Sequence, residues 1–312
     1  MIALRRVPWA LPAALFLILA AVNAILQPSF VKPAVVVSNL GTFLPLAIIS
    51  VGQTYVILGG SIDLSLGAIV SLVNVVVVGV VEGMGASPWA LTVGIVAGLG
   101  TGLTCGTLNG LVLGVLRLQP IVTTFATSIV FGGLAIWVLP QAGGSLPDAY
   151  FEAYSGSVLG VFPTPVLILL AVLGLAALLS RTRFYTYLLA TGGGLQAAFQ
   201  TGLPVPRVKI ASHVLAGLLA SVAALCVLGE TAAGDPLMGQ AFTLTSVSAV
   251  VLGCTSLSGG AGTVVGSVLG AIMIGLINNV IFFAKLPFVY QSMVQGLIIL
   301  AALAGGVLVT RR

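Results

Sequence analysis

Residues 35–81 read VVVSNLGTFLPLAIISVGQTYVILGGSIDLSLGAIVSLVNVVVVGVV, and this stretch decides the class of fold. Two apolar runs, Val35–Leu58 and Leu64–Val81, are separated by a short segment that contains two glycines and the only charge of the stretch, Asp63. Each run is close to the roughly 20 apolar residues that a helix needs to cross a bilayer. Backbone polar groups in lipid must be satisfied within the segment, so each run predicts a transmembrane helix.

The composition of the whole chain agrees with this prediction. Of its 312 residues, 59% are hydrophobic and 5% are charged, and the mean hydropathy is +1.24. Soluble domains carry about a quarter charged residues, so this composition excludes a water-soluble globular protein. The 40 glycines recur inside apolar runs, where small residues let helix backbones approach closely in a membrane. The three cysteines also lie in apolar runs without metal-ligand spacing, and no metal site is predicted.

About ten segments are apolar and long enough to be candidate spans. They are Trp9–Leu26, Val35–Leu58, Leu64–Val81, Pro88–Leu116, Ile121–Leu139, Val161–Leu179, Ile210–Leu228, Ala241–Leu257, Thr263–Ala284 and Phe288–Val309. The first follows Arg5 and Arg6 and also resembles a signal peptide; its length favours a retained first helix. The span that ends at Leu257 is short, so a broken or partly crossing segment is the alternative there.

The basic residues give these spans an orientation. With the N-terminus in the cytoplasm, most of them fall on the cytoplasmic side, as the positive-inside rule requires. These are Arg5, Arg6, Arg117, Arg181, Arg183, Arg207, Lys209, Arg311 and Arg312, against Lys32 and Lys285 outside. The net charge of +5 is therefore explained by membrane orientation rather than by a nucleic-acid partner. Both termini are predicted to be cytoplasmic.

An internal repeat is visible in the order of the polar residues. Residues 109–120, with Asn109, Arg117 and Pro120, return loosely as 278–287, and VILGGS at 56–61 returns as VVLGCT at 250–255. Arg117 is predicted inside and Lys285 outside, so the repeats are predicted to be inverted, as in many transporters. Chance similarity between apolar runs is the alternative.

The predicted architecture is all-α, a polytopic membrane protein of about ten transmembrane helices with two inverted repeats. It forms one transmembrane domain over residues 1–312, with the first helix at 9–28, repeat one at about 35–139, a linking helix at about 161–180, a cytoplasmic loop at 181–209 and repeat two at about 210–309.

Asp63 is the most informative polar residue. A charged side chain at the middle of a membrane helix costs about 2.5–3.5 kcal/mol on insertion scales, so such an acid faces protein or a water-filled path. Two interpretations remain open: Asp63 caps the helix predicted to begin at Leu64, or it contacts substrate. Other polar residues in the spans more often join helices by hydrogen bonds; they are Asn74, Asn109, Thr123, Thr124, Asn278, Asn279 and Gln291. His213, close to basic residues at the end of a span, is predicted to be interfacial.

A short helix is predicted within the cytoplasmic loop. Leu195–Thr201 contains good helix formers at most positions. Gly192-Gly193-Gly194 precede it as a flexible turn, and Gly202 is placed to end it. Pro204 and Pro206 then prevent its continuation.

Taken together, these segments resemble the permease subunits of ATP-binding-cassette importers for ribose, xylose, galactose and related sugars. GGSIDLSLGA at 59–68 is similar to that family's GG-x-DLS-x-G signature. Four further stretches resemble it in the same order: LNGLVLGVLRLQPIVTTFAT from Leu108, TRFYTYLLATGGGLQAAFQTGLPVPRVKI from Thr182, SAVVLGCTSLSGGAGTVVGSVLGA from Ser248 and YQSMVQGLIIL from Tyr290. The resemblance covers nearly the whole chain. It departs from the family pattern at Gln196, where an acid is common, and at Cys254, where a second glycine is usual.

The resemblance implies a permease subunit of the bacterial inner membrane that is not itself an enzyme and binds no cofactor. Its implied partners are two ATPase subunits that hold ATP and Mg, a periplasmic or lipid-anchored substrate-binding protein, and a second permease copy or a paralogue. The candidate substrate path comprises Gly59, Gly60, Asp63, Ser65, Asn109, Thr123, Asn278 and Asn279. The candidate ATPase-coupling residues are Gly193, Gln196, Ala197, Ala198, Phe199 and Gly202, four of which match the family's E-A-A-x-x-x-G spacing with Gln for Glu.

Three alternative functions make different demands on the sequence. A permease for a nucleoside, a quorum-signalling sugar derivative or another small polar solute would share these motifs. An ion-coupled secondary carrier would place ionisable residues in mid-span, where Asp63 is nearly the only one. An intramembrane enzyme would need a nucleophile and base, and no such pair is visible. The chain also contains no G-x-x-x-x-G-K-[ST] phosphate loop.

The orientation is testable by labelling single cysteines in a cysteine-free background. A cysteine at position 196 is expected to react with a membrane-impermeant reagent in inverted membrane vesicles and to stay unlabelled in intact cells, because the basic loop around it is retained in the cytoplasm. Labelling of position 196 in intact cells would overturn the orientation.

Overall fold

A computed structural model describes residues 10–85 and 87–285, together with 287, 290, 293, 296, 297 and 300. The helices are α1 Ala10–Leu26, α2 Pro33–Leu58, α3 Leu66–Gly83, α4 Pro88–Gly114, α5 Pro120–Val138, α6 Asp148–Ser155, α7 Thr164–Ser180, α8 Arg183–Gly193, α9 Leu195–Gln200, α10 Val205–Thr231, α11 Gln240–Leu252 and α12 Val264–Phe283. Ser157–Val158 (β1) and Phe162–Pro163 (β2) pair as an antiparallel hairpin. Apart from the few positions named, the predicted span Phe288–Val309 lies outside the described residues, as do residues 1–9.

The structure confirms the all-α polytopic class but not the number of about ten spans. Among the described residues, six helices are long and apolar enough to cross a membrane, namely α2, α3, α4, α5, α10 and α12. A seventh arises if α7 and α8, bent by 77° at their junction, count as one span. The other predicted spans correspond to shorter apolar helices, Ala13–Leu26 within α1 and Gln240–Leu252 as α11.

Proline and hydroxyl residues explain where several helices begin. Pro occupies one of the first two positions of α2, α4, α5, α7 and α10, where its missing N–H would have had no partner within the helix. The Ser87 hydroxyl accepts from the Ala90 N–H at the start of α4 (3.2 Å), and the Thr263 hydroxyl accepts from the Gly266 N–H at the start of α12 (3.1 Å). Such caps satisfy backbone donors that the first turn leaves free.

The buried centre of the protein consists mainly of α2, α3 and α10, with α4 and α12 packed around them. Glycines set the closeness of these contacts. On α4, Gly102, Gly106, Gly110 and Gly114 share one face, and a Cβ at any of them would collide with the backbone or side chains of α10. Small residues at such positions let two helices pack backbone to backbone in a membrane. The prediction made from the glycine content is therefore confirmed at this contact.

Apart from Asp63, the arginines and the carboxylates of the described residues lie at opposite ends of the helix array. The Arg117 guanidinium carbon lies 5.7 Å from the centroid of the Phe199 ring, which brings the α4–α5 connection against α9. We call this the basic end. At the other end, the Thr42 hydroxyl donates to the Glu230 carboxylate (3.1 Å), and the Ser145 N–H donates to Glu82 (3.3 Å). We call this the acidic end.

The two related sequences at 56–61 and 250–255 have the same backbone hydrogen bonds. The Ser61 N–H donates to the Val56 carbonyl, and the Thr255 N–H donates to the Val250 carbonyl (3.1 and 3.2 Å). In both turns, the residue just before the donor has a left-handed backbone conformation: Gly60 with φ +74° and Cys254 with φ +62°. This is a Schellman ending, which favours glycine. Cys254, the departure noted in the sequence, therefore occupies a strained position. The inverted arrangement of the repeats stays a prediction.

Between α10 and α11, the chain passes through part of the membrane layer without forming a helix. Gly234 packs against Val78 and Gly239 against Gly67, so this segment runs beside α3 for roughly 16 Å at 1.5 Å per residue. The Asn74 side chain accepts from the Asp235 N–H (2.8 Å), and the Ser71 hydroxyl accepts from the Gly239 N–H (2.9 Å). Non-helical backbone is tolerated at this depth when protein groups satisfy it. The predicted span Ala241–Leu257 is thus the 13-residue helix α11.

The segment predicted as a cytoplasmic loop at 181–209 contains two helices and the start of α10. The helix predicted at 195–201 is observed as α9, and its end is a third Schellman turn, in which Gly202 has φ +78° and the Leu203 N–H donates to the Ala198 carbonyl (3.1 Å). The helix α8 was not predicted. It turns back toward the array and buries Leu188 and Thr191.

The end of α8 meets the chain breaks that follow α2 and α11. We call this meeting point the glycine junction; its residues are Gly60, Gly192, Gly193, Gly259 and Gly260. A Cβ at Gly192 would overlap the Leu58 carbonyl, and one at Gly259 would lie 2.9 Å from the Cα atoms of both Gly60 and Gly192. The Gly260 N–H donates to the Leu58 carbonyl (3.0 Å). Three segments distant in sequence therefore touch through their backbones.

The glycine junction predicts a contrast between neighbouring substitutions. Gly192→Ala must force the ends of α2 and α8 apart, whereas Gly193→Ala places its methyl group where nothing lies within 4 Å. Overpacking of this kind costs about 1–3 kcal/mol. We expect Gly192→Ala to lower the midpoint of thermal unfolding in detergent and Gly193→Ala to leave it unchanged. Equal midpoints for the two variants would show that this contact is not tight.

Candidate functional site

A buried polar cluster occupies the break between α2 and α3. Asp63, Ser65 and Asn109 are each fully buried. One Asp63 carboxylate oxygen accepts from both the Ser65 N–H (2.8 Å) and the Ser65 hydroxyl (2.6 Å). The Asn109 side chain on α4 donates to the same hydroxyl (2.7 Å). The structure thus brings together three of the predicted path residues, from two elements, in one hydrogen-bonded chain.

Thr124 on α5 forms hydrogen bonds with the same break. Its hydroxyl accepts from the Leu64 N–H (3.0 Å) and lies 3.2 Å from the Ile62 carbonyl. The break therefore contacts α4 through Asn109 and α5 through Thr124. The start of α3 thus meets α4 and α5 at this point.

Several buried polar atoms around the break have no hydrogen-bond partner among the described residues. They are the second carboxylate oxygen of Asp63, the side-chain oxygen of Asn109 and the Ser61 hydroxyl. Buried polar atoms in proteins are usually paired, since leaving one unpaired costs about 1–3 kcal/mol. The break thus combines a fixed carboxylate with unused hydrogen-bonding capacity.

Asp63 organises the break rather than capping α3 directly. The helix begins at Leu66, two residues later than predicted, and Ser65 precedes it with no side-chain cap to the first turn. Asp63 instead accepts from the N–H of Ser65, two residues on, which is an Asx turn. This turn competes with helix formation at Leu64, and that is the physical reason why the predicted helix start was wrong.

The other predicted path residues lie elsewhere. Gly59 and Gly60 belong to the turn that ends α2, next to the glycine junction. Thr123 lines a groove of about 400 Å³ between α4 and α5. Asn279 donates to the side chain of Asn39 on α2 (3.2 Å), and Asn278 is exposed. Neither asparagine contacts the Asp63 cluster, because both lie near the far end of α12.

The predicted coupling residues form a compact surface at the basic end. On α9, Gln196, Ala197 and Phe199 are exposed, and Ala198 is buried. Phe199 is 58% exposed, with Arg117 beside its ring. Gly193 and Gly202 flank this helix. Ala197 and Phe199 on α9 therefore remain available at the surface of the described chain.

Thr124 has the helix-joining role that the sequence predicts, but neither it nor His213 was among the predicted path residues. The sequence predicts Thr123 as the path residue, yet its neighbour Thr124 contacts the break. Nothing in two adjacent threonines indicates which of them faces α3. His213 was predicted to be interfacial and is fully buried, with Nδ1 2.9 Å from the Lys209 carbonyl. A carbonyl only accepts, so Nδ1 carries the proton. Helix α10 begins at Val205, earlier than predicted, and this extension places His213 inside the array.

Comparison of the sequence with known proteins shows the family of the chain. The family described as "Branched-chain amino acid transport system / permease component" matches residues 35–303. The chain is 35% identical to the ribose import permease protein RbsC of Bacillus subtilis, over 91% of this chain and 88% of that protein. It is 34% identical to the probable ABC transporter permease protein y4mJ of Sinorhizobium fredii, over 83% and 77% of the two chains. It is 32% identical to the L-arabinose transport system permease protein AraH of Escherichia coli, over 88% and 85%.

The family match extends from the start of α2 to beyond α12 and includes both chain breaks and the α8–α9 segment. The chain belongs to this family of transport-system permease components and is a polytopic membrane protein.

Proposed function

We propose that this chain is the membrane-spanning permease subunit of an ATP-binding-cassette importer for a sugar, with a pentose as the first candidate. The observation that carries the proposal is the similarity, over most of both chains, to permeases whose names specify ribose and L-arabinose. The chain contributes the path through the membrane and is not itself an enzyme. ATP and Mg bind to partner ATPase subunits, and a substrate-binding protein delivers the sugar.

The substrate path is proposed to lie along α4 and α5, against a second permease copy or a paralogue. The groove between these helices is open and lined by Gln119, Thr123 and Thr127 among apolar side chains. A sugar carries many hydroxyl groups, and a path that mixes a few amides and hydroxyls with apolar surface can bind it weakly and release it. The Asp63 break lies directly behind α5, through Thr124.

Coupling is proposed to run from the basic end to this break. An ATPase subunit in the cytoplasm docks on α9, with Phe199 as an apolar anchor. Movement of α9 displaces the end of α8, and Gly192 transmits it by backbone contact to Leu58 at the end of α2. The next residues, Gly59–Ser65, form the break that Thr124 and Asn109 hold. The orientation with this end in the cytoplasm of a bacterial inner membrane follows from its basic residues.

An importer for another small polar solute is the second candidate, because the family description specifies branched-chain amino acids. Competition separates the two. Uptake by the reconstituted transporter with its binding protein is expected to be inhibited by excess unlabelled ribose or arabinose. Inhibition by leucine or by a nucleoside, with none by either pentose, would favour the second candidate.

Substitutions of Asp63 test the role of the break. Asp63→Asn keeps an oxygen that accepts from the Ser65 N–H and hydroxyl, so uptake is expected to stay within about twofold of wild type. Asp63→Ala leaves both donors buried without a partner, which costs about 1–3 kcal/mol, and uptake is expected to fall strongly. The measurement is uptake of labelled pentose at matched amounts of permease in the membrane. Ser180→Ala, an exposed hydroxyl at the end of α7 and away from the proposed path, is the control. Loss of uptake in Asp63→Asn at normal expression would show that the negative charge itself is required.

Substitutions on α9 test docking. Ala197→Arg introduces a long charged side chain on the exposed face of α9, and we expect it to abolish co-purification of the ATPase and substrate-stimulated ATP hydrolysis in reconstituted vesicles. Gly202→Asp is expected to act similarly by straining the turn at φ +78°. Ala197→Ser, which keeps a small side chain, is the matched control. Normal values of both measurements in Ala197→Arg would exclude α9 as the docking element.

A further inference from the structure

The hairpin between α6 and α7 exposes an unusually apolar surface for a connection outside the helix array. Leu159 is 88% exposed, Val161 70%, Phe162 53% and Val158 49%. No charged residue occurs from residue 153 to residue 180. A contiguous exposed apolar patch indicates contact with a partner or with a membrane.

The backbone conformation at the tip of the turn disfavours leucine. Leu159 has φ +56°, and Gly160 beside it has φ +70°. The left-handed conformation costs a leucine about 1–2 kcal/mol and favours glycine or asparagine. The side chain of Leu159 is therefore the informative feature of this turn.

Contacts of α6 place the hairpin at the edge of the apolar layer of the membrane. The Tyr154 hydroxyl donates to the Gly41 carbonyl of α2, and the Tyr150 hydroxyl donates to the Leu225 carbonyl of α10 (2.9 Å each). Both acceptors lie within transmembrane helices rather than beyond their ends. Burial raises the pKa of both tyrosines, so the two hydroxyls stay neutral in these contacts. The carboxylates of Asp148 and Glu152 are exposed on α6.

The length of α7 independently places the hairpin at the same depth in the membrane. This helix has 17 residues, which rise roughly 26 Å, and Arg181 follows it at the basic end. The hydrocarbon core of a bilayer is about 30 Å thick. With Arg181 at one boundary, the start of α7 at Thr164 lies at or just inside the other boundary. The Thr164 hydroxyl donates to the Ala153 carbonyl (2.7 Å), which ties the hairpin to α6 at this depth.

We propose that the tip of this hairpin, Val158 to Phe162, inserts into the lipid of the leaflet at the acidic end and anchors the α6–α7 connection there. The helix that follows, α7, also exposes apolar side chains, among them Leu170 at 58%. The carboxylates of α6 face the headgroup region and water. The anchor holds Tyr150 and Tyr154 against α10 and α2 independently of any soluble partner.

The test measures depth by electron paramagnetic resonance on the full chain in phosphatidylcholine vesicles. A nitroxide is attached to Leu159→Cys in a cysteine-free background, and its collisions with oxygen and with a water-soluble nickel chelate are compared. Glu152→Cys is the aqueous control and Leu170→Cys the lipid control. We expect position 159 to resemble position 170, with a several-fold higher ratio of oxygen to chelate collisions than position 152. A ratio at position 159 equal to that at position 152 would overturn the proposal and leave this surface free for a soluble protein.

A second variant isolates the leucine side chain. Asparagine tolerates the left-handed conformation, so Leu159→Asn keeps the turn and removes the apolar tip. With the nitroxide at Val161→Cys, we expect Leu159→Asn to raise chelate collisions several-fold over the same label with Leu159 intact. Unchanged collisions would show that Leu159 does not anchor the hairpin.

Discussion

Every backbone N–H and carbonyl group inside the membrane layer needs a partner from the protein itself, and the arrangement of this chain depends on that constraint. Most of the chain meets it by forming helices. The informative exceptions are the break at 59–65 and the segment at 234–239, where side chains replace the helical partners. Thr124 and Asp63 serve the first, and Asn74 and Ser71 serve the second. These four polar side chains thus act where the backbone departs from a helix.

Close approach of backbones is the second consequence of packing in lipid. Without a hydrophobic driving force between helices, contacts depend on small residues that allow short distances. The face of Gly102, Gly106 and Gly110 fixes α4 against α10, and Gly192 fixes the end of α8 against α2. A contact made by backbones has no side chain that can adjust. Such contacts suit a protein in which a displacement at one surface must reach a buried break.

These two constraints connect the proposed docking surface with the proposed path. Helix α9 lies at the surface, the glycine junction lies behind it, and the Asp63 break follows directly along the chain from α2. The acidic end is held differently, by hydroxyl-to-carbonyl hydrogen bonds from Tyr150 and Tyr154 and by the proposed insertion of the hairpin tip into lipid. In the proposed mechanism, the basic end receives the movement of the ATPase and the acidic end stays in place.

The sequence by itself determined the membrane class, the position of most helices, the short helix α9 and its ending at Gly202, because hydropathy and turn chemistry act over a few neighbouring residues. It also pointed to Asp63, since an acid between two apolar runs is costly. The number of helices long enough to span, the later start of α3, the burial of His213 and the choice of Thr124 over Thr123 were decided by the tertiary structure. Each depends on which distant backbone lies opposite, and a pattern local to the sequence carries no information about a partner more than 50 residues away, as Thr124 is from Leu64.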